Sequence, residues 1–191
     1  MSLCTLVANK IYSQTSWKGT INTNWNNAGN RTAGIPNSAS NVILGDASFT
    51  GINQPTVNVS SSCNSITIGG AIATTLTLTK NLVVNSSLTI NSNGSVKHPK
   101  STVTVKGNWT NNGTYTTTNN SSKVIFGGIS QLINGSSLTT FRDVTINSGS
   151  SVTLGADVSV SGSGSIFNIN GTFSGTVSHL YNNFYGKLQS F

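Results

Sequence analysis

The chain has 191 residues; 35% are hydrophobic, 7% are charged, and ten Lys and Arg against three Asp give a formal charge of +7. This length suits one domain with a continuous core, and low charge beside abundant Val, Ile, Leu and Thr excludes a disordered polymer. The basic residues are scattered from Lys10 to Lys187 with no two adjacent, so the positive balance reflects missing acids and leaves no nucleic-acid footprint. Polar positions are filled by Asn, Ser, Thr and Gly, which favour tight turns and stacked hydrogen-bonded rows. A surface of hydroxyls and amides is an extracellular habit, so an exported protein, extracellular or on the cell surface, is expected. No run of about 18 apolar residues occurs, so no membrane-spanning helix is expected.

Residues 1–14, "MSLCTLVANKIYSQ", read as a signal-peptide remnant or a leading strand, because "LCTLVA" is a short apolar run with the small residues Ala8 and Ser13 nearby. Residues 15–40 are built differently from the rest. "SWKGTINTNWNNAGNRTAGIP" combines Trp17, Trp25, several Gly and the turn-forming Pro36, and reads as an N-terminal cap whose indoles cover the first coil. Residues 41–178 carry apolar residues in short i, i+2 pairs: Val57/Val59, Ile66/Ile68, Leu76/Leu78, Leu82/Val84, Leu88/Ile90, Val103/Val105, Val124/Phe126, Val144/Ile146, Val152/Leu154 and Val158/Val160. A period of two is the strand signal, and Gly, Asn and Ser clusters separate the pairs. The last stretch, 179–191, has four aromatics and no alternation; it reads as a C-terminal cap or a tail.

The spacing of the pairs sets the architecture. Leu82, Val103, Val124 and Val144 step by 21, 21 and 20 residues, and a second series of Ile90, Trp109, Leu132, Val152 and Phe173 by 19, 23, 20 and 21. A repeat near twenty residues with several short strands apiece predicts an all-β, right-handed parallel β-helix (a β-solenoid) of about six coils. Coils stacked about 4.8 Å apart would place each inward residue on its equivalent in the next coil. One coil alone does not fold: about six buried side chains contribute roughly 1.5–3 kcal/mol each, against roughly 1–2 kcal/mol of backbone entropy for each of about twenty residues. Asn85, Asn91 and Asn147 recur at turns and are expected to add amide ladders.

Cys4 and Cys63 form no CxxC pair, and His98 and His179 are far apart, so no metal site is expected. Cys63, just before Ile66 and Ile68, reads as a small buried residue.

The segment "WKGTINTNWNNAGNRTAGIPNSASNVIL" resembles the opening module of large secreted β-solenoid proteins from gliding, polysaccharide-degrading bacteria. "CNSITIGG", "TLTLTKNLVVNSSLTI" and "KVIFGGISQLINGSSLTTFRDVTINSGSSVTLGADVSVSG" are similar to the repeats that follow. The resemblance spans Trp17 to Gly171 and implies a β-solenoid architecture and export, with an adhesin-like role. Arg31 stands where the pattern implies a third Trp, which argues against an aromatic binding platform there. The sorting module usual at the C-terminus of such relatives is not seen, as in a truncated member.

Catalytic chemistry has little to work with. Glycoside hydrolysis generally uses two carboxylates at a set separation; Asp46, Asp143 and Asp157 fall in three different parts of the repeat. A polysaccharide lyase would need acids to hold calcium. No enzyme activity and no cofactor are therefore expected, and the sequence reads as an adhesin-like or stalk module, alone or as coils of a longer parent protein. The alternatives are a remnant of a polysaccharide lyase or a polysaccharide-binding module. Binding would use Lys80, Lys100, Lys123 and Arg142, which recur at 20, 23 and 19 residues. If aligned, they would form a cationic row for an anionic glycan; otherwise they are solvated lysines blunting a sheet edge. A Thr face for ice binding is interrupted by Val83, Ile125 and Ser159.

Overall fold

The computed structural model describes residues 12–175, 180–181 and 187–190. The chain winds as a parallel β-solenoid of about six coils. A first, partial coil holds β1 (Ser13–Ser16) and a short 3-10 turn (Ala28–Asn30). Complete coils follow: β2 (Ser40–Leu44), β3 (Thr56–Val57) and β4 (Ser61–Cys63); then β5 (Ser65–Ile68), β6 (Thr74–Leu78) and β7 (Leu82–Val84). In the next two the second and third strands run together: β8 (Leu88–Ile90) with β9 (Gly94–Val105), and β10 (Trp109–Asn111) with β11 (Thr114–Phe126). The strands separate again in β12 (Gln131–Asn134), β13 (Thr139–Phe141) and β14 (Asp143–Ile146), then β15 (Ser151–Leu154), β16 (Val158–Val160) and β17 (Ile166–Ile169). A last partial coil contains β18 (Thr172–Ser174), β19 (Leu180–Tyr181) and β20 (Lys187–Ser190).

Each strand pairs in parallel with its equivalent one coil away. One sheet runs β1-β2-β5-β8-β10-β12-β15-β18, a second runs β20-β17-β14-β11-β9-β6-β3 with β4 and β7 joined to it through β9, and a third is β13-β16-β19. The expected file is present: Leu82 pairs with Val103, Val103 with Val124, Val124 with Val144, and Val144 with Phe167. All five side chains are buried. Alternation therefore feeds one interior: in β6 and β2 every second residue is buried, and stacking supplies the neighbours that a single coil lacks.

The second file differs from expectation. Trp109 pairs with Leu88 and Ile133, and Ile90 pairs with Asn111. The inward file is thus Val42–Ile66–Leu88–Trp109–Ile133–Leu154, and Leu132 points outward. The cause is a longer turn at 127–130, whose tip Ile129 is 86% exposed. Beside it Gln131 turns inward, its Oε1 accepting from Gly128 N (2.6 Å) and its Nε2 donating to the carbonyls of Val105 (3.0 Å) and Gly107 (2.6 Å). A buried amide with three bonds costs little and fixes that corner. Val59 is likewise exposed, so only Val57 of that pair joins the core.

Two of the three Asn expected to form ladders, Asn85 and Asn91, instead clasp backbone carbonyls between coils. Asn91 Nδ2 donates to Gly69 O (2.6 Å) and Asn85 Nδ2 to Cys63 O (3.4 Å), both carbonyls of the preceding coil. Asn81, Asn108 and Asn112 accept through Oδ1 from backbone N–H groups of the following coil. Carbonyls and amides at corners lie outside the strand ladders, and Asn is short enough to reach them. Tight coil-to-coil approach sets another local rule: Gly69 has φ +83°, and a Cβ there would lie 2.4 Å from Gly94 N.

The N-terminal segment packs along the first strand. Residues 30–34 turn back across β1, with Trp17 and Arg31 in an antiparallel bridge and Thr32 N donating to Ser16 O (3.1 Å). This covers part of an edge that would otherwise offer free backbone groups to another chain. β1 starts at Ser13, inside the stretch assigned to a leader or leading strand; residues 1–11 lie outside the described residues. Of the stretch from His179 onward, the backbones of β19 and β20 continue the parallel pairing, and the remainder lies outside the described residues.

Candidate functional site

The interior holds several polar groups whose roles are structural. Trp17 and Trp25 are both buried, and the Arg31 guanidinium lies 4.7 Å from the Trp17 ring centroid and 4.0 Å from that of Trp25. Arg31 thus fills the third place in an aromatic stack, held by cation–π attraction. Its side-chain nitrogens are buried without hydrogen-bond partners, and burial pulls its pKa down to about 9. The indoles are buried and present no face to solvent. Cys63 is a free buried thiol, as expected, and burial pushes its pKa up to about 12, which keeps it protonated at neutral pH.

His98 occupies the bend of β9. Strand parity puts it inward with Val96, and it is fully buried. Its Nε2 lies 3.1 Å from Ser101 O, which only accepts, so Nε2 carries the proton; Nδ1 then accepts from the Tyr115 hydroxyl at 2.7 Å. Burial lowers the His98 pKa to about 4 and raises that of Tyr115. Ser101 has φ +109°, the left-handed side for a non-glycine residue, and the imidazole braces that strained corner. Both side chains are buried.

The carboxylates are used to hold the chain. Asp46 accepts from Ser16 Oγ and from Ser48 N. Asp143 Oδ1 accepts from Arg142 Nη1 (2.7 Å) and Ile166 N (2.9 Å). Asp157 precedes β16 on a different face from β14. Among the described residues no three His, Cys, Asp or Glu side chains are grouped to hold a metal.

The four predicted cations do not share one register. Lys100 pairs with Ser121, and Lys123 with Thr102 and Asp143. Lys80 sits in the turn before β7, exposed like Lys100. Arg142 is not solvated: it is 7% exposed, ion-paired to Asp143, and donates through Nη2 to Ser163 O (2.7 Å). The bend between Thr117 and Ser121 shifts the register in β11, so equal spacing in sequence does not become alignment in space. The expected cationic row is therefore corrected to two exposed lysines, one half-buried Lys123 and one buried structural arginine.

Sequence reasoning missed a shallow recess around Lys123. On the outward side of β11, β14 and β17, Lys123, Asp143, Thr145, Ile166 and Asn168 border a depression of about 180 Å³. A second, of about 210 Å³, lies between the turns around Ser136 and Ala156. The signal for the first was strand parity: residues between the inward Val124, Val144 and Phe167 share the outer face.

Fold and surface together define a parallel β-solenoid repeat protein. No protein-family profile, curated protein or solved structure matches the chain. Among the described residues no helix is long and apolar enough to cross a membrane.

Proposed function

We propose that this chain is a non-enzymatic β-solenoid module of an exported repeat protein, a stalk or adhesin-like spacer at the cell surface. The observation that supports this reading most is the unbroken file Leu82–Val103–Val124–Val144–Phe167. Its interior is spent on packing from coil to coil, and Asp46 and Asp143 are spent on turns and corners. Such a stack is a rod rising about 4.8 Å per coil, with strength along its axis from repeated ladders. Its low charge and its resemblance, from Trp17 onward, to secreted solenoid repeats favour the outside of a cell.

The test is incubation of purified protein with pectin-type uronic polymers, alginate and neutral glucans. The expected outcome is no new reducing ends and no unsaturated products. Turnover that disappears in Asp143→Asn would overturn the reading.

A further inference from the structure

The recess on β11, β14 and β17 combines three features found together there. Among the described residues Lys123 has neither an ion pair nor a hydrogen bond, although Asp143 is its register neighbour; Asp143 Oδ1 is engaged by both Arg142 and Ile166 N. Asn168 Oδ1 is shielded from water and has no donor among the described residues. Ile166 presents 45% of its surface as an apolar wall, and Thr145, 6% exposed, forms the floor. A buried acceptor without a partner is costly and rare in a folded protein, and it is satisfied when a ligand supplies the donor.

We propose that this recess is a subsite for one acidic sugar unit of a polysaccharide. The sugar carboxylate lies against the Lys123 ammonium, a ring hydroxyl donates to Asn168 Oδ1 once that amide turns outward from its shielded position, and the C–H face of the ring packs on Ile166. A neutral sugar leaves Lys123 unused, and a simple anion such as phosphate leaves Ile166 uncovered. At about 180 Å³ the recess is smaller than the roughly 300 Å³ at which small-molecule pockets begin, so it takes a single unit and leaves the rest of the chain in solvent. This ligand is compatible with the stalk reading and does not depend on it.

The experiment is NMR titration of the full chain with galacturonic-acid trimer, with a neutral glucose trimer and inorganic phosphate as comparison probes. The expected result is millimolar binding of the acidic trimer, with shifts centred on Thr145 and Asn168, and at least tenfold weaker binding of the neutral trimer. Lys123→Gln is expected to weaken the acidic trimer at least tenfold, and Asn168→Leu at least threefold without lowering thermal stability. Lys80→Gln with Lys100→Gln, which removes exposed cations outside the recess, is expected to leave binding unchanged. An equal loss in that double variant, phosphate binding as tight as the trimer, or no shift at 10-fold the expected concentration (about 10 mM, on the ordinary affinity scale) would each overturn the subsite. Cleavage of the trimer would instead count against the non-enzymatic reading and leave the subsite standing.

Discussion

Replacing Trp109 with alanine is expected to destabilise the protein by about 3–5 kcal/mol, the range for deleting a large aromatic from a packed core. Trp109 is fully buried in the middle of the inward file, between Leu88 and Ile133. Its ring meets Tyr115 at 5.0 Å and Phe141 at 5.1 Å between centroids, both edge-on, with Phe126 at 6.4 Å. Those rings belong to β11 and β13, so one side chain ties together strands of all three sheets. Its Nε1 has no partner, so Trp109→Phe removes an unsatisfied donor along with the volume and is expected to cost less than the alanine variant.

The manner of unfolding is a sharper signature than the size of the loss. In a solenoid each coil contacts only its neighbours, so a weak coil in the middle uncouples the two ends. With Trp109 gone, Trp17 and Trp25 alone report by tryptophan fluorescence among the described residues, and both sit at the N-terminal end of the stack. Urea titration of Trp109→Ala should therefore show a circular-dichroism midpoint shifted further than the fluorescence midpoint. Coincident, barely shifted transitions would mean that this ring does not hold the coils together.

Acid is expected to weaken the fold through His98. Its folded pKa of about 4 lies below the ordinary value of 6.5 because burial disfavours the imidazolium. The unfolded chain takes up the proton first as pH falls. Stability is thus complete above about pH 6.5, falls as pH drops towards 4, and levels off below that, a total of about 3 kcal/mol. Protonation also puts a second N–H against the Tyr115 hydroxyl, which now donates to Nδ1. The exposed Lys97 and Lys100 on the same strand add no carboxylate to offset the charge. Chemical denaturation at pH 7.5 and pH 4.5 should separate the native protein by most of that amount, with His98→Gln nearly flat between them. A native protein equally stable at both values would contradict the buried neutral histidine.

How far the sequence discloses this structure depends on strand parity and turn length. The Leu82–Val103–Val124–Val144 file is legible because its turns keep the repeat at 20 or 21 residues and each member is apolar. The Trp109 file fails first at Ile90, which pairs with Asn111 and not with Trp109, and again where the turn before Gln131 lengthens and carries an exposed Ile129 in front of an inward glutamine. Apolar character then selects Leu132, one position out of phase, and a one-residue slip moves a side chain to the other face. His98 and Asn111 are hidden for the opposite reason. They are polar, yet they share parity with Val96 and Trp109, and both are buried and hydrogen-bonded. The expected cationic row rests on sequence intervals alone, which ignore the bend in β11 and the ion pair that withdraws Arg142. Lys123 borders a recess, and its neighbours there, Thr145, Ile166 and Asn168, come from two other strands, a grouping that register reveals and composition does not.

Everything rests on vertical neighbours about 21 residues apart, and Thr104 with Ile125 tests that most directly. These two are register partners on the outward side of β9 and β11, at the roughly 4.8 Å spacing of adjacent strands and within the Cα range a disulfide bridges. With Cys4 and Cys63 replaced by alanine, Thr104→Cys plus Ile125→Cys is predicted to close an intramolecular disulfide under mild oxidation and to raise the denaturation midpoint. Thiols that stay reduced in the native state, or that close only between molecules, would contradict the stacked-coil structure.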